Sequence, residues 1–212
     1  MHKTYYWLPV FILPFFLFSQ ENNHQVWNNL EFRYNAFQKT SFSFDGGIRT
    51  DIISSESLKY FSDFSFKKKC TSVFSYSMGY RYALDRRKDS FEAKHRFYSD
   101  FFFKKEVAQN FKIINRSRFQ IQKNAFDFFV NKIRQKIKFN YTVGALNLDA
   151  YVSLELFCVL EEVLEKSRYV VGVETPIVRN LELNVSYMAQ QDYDVDVSDL
   201  LFAFRTKLKY RF

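Results

Sequence analysis

The sequence predicts an all-β protein, a closed antiparallel up-and-down transmembrane β-barrel of 10 to 12 strands. Polar and apolar side chains alternate along almost the whole chain after Val26, the two-residue period of strands with unlike faces. Many of the alternating stretches run about 10 to 13 residues, long enough to cross a bilayer at a tilt. The chain also ends on such a stretch, closing with Phe212.

Composition points to one folded domain. Aromatics make up 20% of the 212 residues, with 27 Phe and 14 Tyr, and no Ser/Gly/Pro-rich linker divides the chain. A disordered chain lacks that apolar surface. The opening MHKTYYWLPVFILPFFLFSQE reads as an export signal: Lys3, an apolar run from Trp7 to Phe18, then Ser19. Residues 1–20 are therefore expected to be a signal peptide cleaved near Ser19, leaving 21–212 as the barrel. The apolar run is shorter than the ~20 residues of a spanning helix, and Pro9 and Pro14 disfavour one. Cys70 and Cys158 are read as two buried or inert thiols rather than a disulfide.

In chain order, VWNNLEFRYN sets Leu30, Phe32 and Tyr34 against Asn29, Glu31 and Arg33. SFSFDGGIRTD sets Phe42, Phe44 and Ile48 against Asp45 and Arg49. LKYFSDFSF, SVFSYSMGYRYALD, FEAKHRFYSDFFF and FKIINRSRFQIQ continue the pattern, followed by VNKIRQKIKFNY, YVSLELFC, RYVVGVE, LELNVSYMAQQ and DLLFAFRTKLKYRF. No helical period persists beyond one turn. The connectors RRKDS, KKEVAQN, KNAFD and PIVRN are short and polar, which suits hairpins in a meander. This gives 11 strands, whereas single-chain bacterial barrels normally have an even number. A twelfth strand is expected within Thr142 to Asp149, or else two stretches are one and the count is ten.

A lipocalin-like soluble barrel shows the same alternation with its apolar side inward. Strand length, dense ions of both signs on the polar faces and Phe/Tyr-rich apolar faces favour a membrane barrel with a polar interior. In VNKIRQKIKFNY the cations Lys132, Arg134, Lys136 and Lys138 recur at every second position. On a helix they would scatter by about 200° per step; on a strand they form one face opposite Ile133, Ile137 and Phe139. Lys112, Arg116 and Arg118 on the preceding strand extend this basic face, and Glu92, Asp100 and Glu155 have the parity to compensate it. In LLFAFRTKLKYRF, Phe204, Leu208, Tyr210 and the terminal Phe212 form an apolar face that resembles the assembly signal read by the barrel-insertion machinery.

RYVVGVETPIVRNLELNVSYMAQQ, with its Arg-led strand, Gly172, tight turn and Tyr-Met before a polar loop, is similar to the C-terminal part of the domain-of-unknown-function 2490 family. WNNLEFRYN, AKHRFYSDFFF and YVSLELF also fit that family's layout, so the resemblance spans roughly Trp27 to Phe212. It implies a small bacterial outer-membrane β-barrel with a signal peptide, and brings no activity or catalytic residues.

Chemistry is sparse. His24 is placed in an N-terminal tail, and His95 shares parity with Phe91, Ala93, Phe97 and Phe101, the lipid side. A lipid hydrolase using His95 is one reading, an interfacial aromatic role the other. No nucleophile elbow, metal-spaced Cys/His set or phosphate loop is present. Asp192, Asp194, Asp196 and Asp199 lack the spacing of a calcium loop and read as a solvated extracellular loop. The net charge of +8 does not imply nucleic acid, because bases and aromatics lie on opposite faces. No cofactor or metal is expected. The expected partners are outer-membrane lipid, the insertion machinery and small anions. The expected roles are a narrow anion-leaning pore or a structural or surface-binding barrel with a plugged lumen.

Overall fold

Eleven strands close on one another in the computed structural model, which describes residues 23–37, 39–87, 90–123, 129–144, 147–160, 164–193 and 200–212. They are β1 (Asn23–Asn35), β2 (Thr40–Asp51), β3 (Ser57–Lys69), β4 (Phe74–Arg87), β5 (Ser90–Ala108), β6 (Phe111–Lys123), β7 (Phe129–Val143), β8 (Leu148–Val159), β9 (Leu164–Val178), β10 (Leu181–Asp192) and β11 (Leu200–Arg211). There is no α-helix among the described residues. The signal-peptide expectation falls on residues 1–20, outside them.

Neighbours in sequence are neighbours in the sheet, and β1 completes the ring by pairing with β11. Every hairpin reverses chain direction, so an eleventh strand runs the same way as the first. The closing pair is therefore parallel, in register from Asn23↔Leu201 to Arg33↔Arg211. This corrects two expectations: the barrel is mixed rather than wholly antiparallel, and its strand number is odd among the described residues. No twelfth strand occurs among the described residues of Thr142 to Asp149. Thr142 and Val143 finish β7, Asn147 takes a left-handed φ of 48°, and Leu148 begins β8. Asn tolerates that conformation better than most residues. Likewise β5 runs through most of KKEVAQN to turn at Gln109 and Asn110, and β9 runs through Val178.

The pleat sends ions inward and aromatics outward. Glu31, Asp63, Asp100, Arg118 and Glu155 are each no more than 6% exposed, whereas Leu30, Phe32, Tyr34, Phe44 and Phe64 on the outer wall are 39–58% exposed. Outer rings contact one another across strands, as in Tyr80 and Phe97 with centroids 4.9 Å apart. A small apolar cluster of Trp27, Tyr151, Val170, Met188 and Ala203 lies inside, on the arc from β8 round to β1.

Three inward glycines make room for inward rings. The Phe61 ring lies over Gly47, the Tyr98 ring over Gly79 and the Tyr151 ring over Gly172, each so close that an added Cβ would collide with it. Glycine is used here for close approach of a ring to the sheet; no glycine has positive φ.

Candidate functional site

The interior is an ionic lattice, and its densest part is the wall of β5 to β9. Asp100 accepts two hydrogen bonds from Arg118 on the adjacent strand, at 2.6 and 2.7 Å. Glu155 on β8 serves three cations: Arg116, Arg134 at 2.7 Å and Arg168 at 3.6 Å. Fork-shaped guanidinium donors match carboxylate oxygens and form the stronger class of ion pair. Removing water from such groups is costly unless they are paired; Glu155 gives each of the three a carboxylate contact, although its one charge offsets only part of theirs.

The outer members of the basic face reach further than the adjacent strand. Lys132 pairs with Glu165 and Lys138 with Glu174, at 2.8 and 2.7 Å, both acids lying on β9 two strands away. Lys112 sits at the rim, 3.6 Å from Glu106 of its own hairpin. Lys136 stands opposite Glu155 in the β7–β8 register but forms no ion pair among the described residues. Glu92 lies away from this wall: it pairs with Arg87 at 3.1 Å and approaches Lys94 at 3.9 Å, near the opposite rim from Lys112. Parity placed Glu92 on the correct face; height along the barrel keeps it from the basic residues.

Aromatic rings thread between the cations. Arg118 lies 3.8 Å from the Tyr98 ring centre, and Arg81 4.2 Å from that of Phe61. Arg134 and Arg168 flank Phe157 at 4.4 and 4.7 Å. Around Trp27 stand three guanidinium groups, Arg49 at 3.7 Å, Arg168 at 5.3 Å and Arg205 at 5.5 Å. Ring faces attract cations, and more strongly where water is excluded. The Trp27 cluster escaped sequence reasoning, although the parity that Trp27 shares with Glu31, and Arg49 with Asp45, was available there.

The outer wall carries the remaining sequence-predicted residues. Phe204 and Leu208 face outward, 45% and 38% exposed, and Tyr210 meets Phe212 edge-on at the rim where the chain ends. His24 is part of β1, not a tail, and stacks on Phe202 at 5.7 Å. His95 also faces outward. Its Nδ1 is 2.7 Å from the Tyr80 hydroxyl, and its ring packs beside Tyr82. No described serine, cysteine or carboxylate bonds His95, so the nucleophile that hydrolysis requires is not assembled there. The outer cavity bordered by Tyr80, His95, Phe97, Ile121, Lys123 and Phe129 is mostly apolar. Both cysteines are free, as the reading of two thiols rather than a disulfide expects; Cys70 is exposed and Cys158 half-buried. Of the acidic loop, Asp194, Asp196 and Asp199 lie outside the described residues, while Asp192 pairs with Lys166 at 3.2 Å. No cluster of three potential metal ligands occurs among the described residues.

Residues 24–200 match a family described as "Protein of unknown function (DUF2490)". The match ends as β11 begins, so the closing strand lies beyond it. No curated protein matches the chain.

Proposed function

The chain belongs to the DUF2490 family, and for this member we propose an outer-membrane β-barrel whose lumen is closed at mid-height by its own ion pairs, a structural or surface-binding barrel rather than an open pore. One observation carries the reading: every strand except β2 places at least one buried side chain on the inner face. Trp27, Asp63, Ala83, Asp100, Arg118, Arg134, Glu155, Val170, Met188 and Ala203 are all less than 9% exposed, which supports a lumen filled by packed side chains.

Membrane placement is supported by the inversion of faces. Strands of 12 to 19 residues with aromatics outside and ions inside suit hydrocarbon outside and a polar lumen. Closure leaves no unpaired strand edge facing lipid. Outer-membrane lipid and the insertion machinery are the corresponding partners, with Phe204, Leu208, Tyr210 and Phe212 as the assembly signal. Planar-bilayer recording tests the closed lumen: no steady current is expected, and a stable open conductance overturns it. Fractionation with heat-modifiability gels tests the location, and recovery in the periplasm overturns that part.

A second reading, a narrow conduit that favours anions, draws on the surplus of inward cations. Lys112, Arg116, Arg118, Lys132, Arg134, Lys136 and Lys138 line one wall, and Lys136 forms no ion pair among the described residues. Such a wall would favour anions wherever the lattice opened.

A further inference from the structure

We propose that the lumen contains a binding site for a small oxyanion, a phosphate, sulfate or carboxylate group, held by Arg49 and Arg205 beside Trp27. Those two arginines lie on β2 and β11, the strands either side of β1, and both are directly opposite Trp27 in the register. Their guanidinium groups are 3.7 and 5.5 Å from the indole centre. Among the described residues neither has an ion pair or a hydrogen-bond acceptor, and the buried Nε of Arg49 is unsatisfied.

The nearby acids are already committed. Asp45 and Glu31 share Lys207, at 2.7 and 2.6 Å; Glu31 also holds Arg33. Asp85 is shared by Lys59 and Lys94, and Glu155 by three arginines. Arg168, the third cation at the indole, is satisfied by Gln190 and Glu155. Arginine does not shed its proton at any physiological pH. Two guanidinium groups therefore remain charged inside the barrel with only a ring face as partner, and a diffusible anion is the remaining counter-charge.

The chemistry of the ligand follows from the donors. A guanidinium offers parallel N–H groups that fit two oxygens of one anion better than a spherical halide. Ser186, 4% exposed and opposite Arg205 across β10 and β11, has a buried hydroxyl without a partner. It supplies a neutral donor beside the cations. Tyr151, Val170, Met188 and Ala203 pack with Trp27 in an apolar cluster beside the cations, a setting that favours a compact anion over a bulky one. The inference concerns the inner face alone and stands apart from membrane location or conductance.

Trp27 is its own reporter. The chain has two tryptophans, so Trp7→Phe leaves Trp27 as the single indole whether or not the leader is retained. Full-length W7F protein in detergent is titrated with sodium phosphate, sodium sulfate and sodium acetate against sodium chloride at matched ionic strength, following indole emission. A saturable change with at least one oxyanion and not with chloride is expected. In that background Arg49→Gln and Arg205→Gln weaken it tenfold or more, and Lys105→Gln on the outer wall leaves it unchanged. Thermal unfolding guards against misfolding of the variants: the oxyanion raises the midpoint of the parent and not of Arg49→Gln. Equal responses to chloride, no response to any oxyanion, or unchanged titration in Arg49→Gln/Arg205→Gln would overturn the proposal. Because no step uses a bilayer current, these outcomes are independent of whether the lumen conducts.

Discussion

Arg118 and Asp100 face each other from β6 and β5 through two parallel hydrogen bonds, with the Tyr98 ring against the guanidinium. Asp100→Asn keeps the shape and removes the charge, leaving Arg118 buried and uncompensated. A loss of about 3–5 kcal/mol is expected, read by urea unfolding of the barrel from vesicles. Replacing both partners by leucine should recover most of it, since the desolvation cost of both ions disappears. Equal losses in the single and double variants would show that shape, not charge, is what matters at this pair.

Glu155 is the counterpart at the level of function. Its carboxylate is the common partner of Arg116, Arg134 and Arg168. In Glu155→Gln these three lose their shared anion and repel one another, loosening the lattice that fills the lumen. Bilayer recordings of this variant are expected to show intermittent current with anion over cation preference, where the parent shows none. A silent or cation-selective variant would count against an anion-leaning path.

Gly79 tests the ring seats. A methyl group there would collide with Tyr98, whose hydroxyl donates to Asp63 at 2.5 Å. Gly79→Ala is expected to cost about 1–3 kcal/mol, the usual penalty for overpacking. Gly46 faces outward, and its added Cβ would find ordinary contacts no closer than 3.9 Å. Gly46→Ala should therefore lie within about 0.5 kcal/mol of the parent, as surface substitutions do. Unfolding midpoints of the two variants decide the matter directly.

The outer wall makes a prediction that depends on lipid. Phe64 is 53% exposed near the middle of β3. If that surface meets hydrocarbon, Phe64→Arg costs roughly 2–4 kcal/mol near the bilayer midplane and lowers recovery in the outer-membrane fraction. In water the same change would be close to neutral. Deleting Phe212 addresses assembly separately, with slower insertion in cells and unchanged stability of barrel that has already inserted.

The strands were legible because a two-residue period is a local signal. Each of the 11 alternating stretches corresponds to one strand, and the inward parity of Lys132, Arg134, Lys136 and Lys138 follows from it. What a local signal lacks is height and distance around the ring. Glu92 has the parity of the basic face but sits near the other rim from Lys112, while Glu165 and Glu174 reach Lys132 and Lys138 from two strands away. The parallel seam was hidden for the same reason: Trp27 and Arg205 are far apart in the chain and meet only when the sheet closes. The preference for an even count is a regularity of other barrels and not a property of these residues.

That parallel seam also decides how the chain could be recut. In an even-stranded meander the two ends emerge at the same rim, and a short turn can join them. Here Asn23 and Phe212 lie at opposite rims, with the length of β1 between them. A circular permutant would need a linker that runs the full height of the wall, through the packed lumen or across the aromatic exterior. By the same geometry, epitopes fused ahead of Asn23 and after Phe212 would report from opposite sides of any sheet of lipid the barrel crosses.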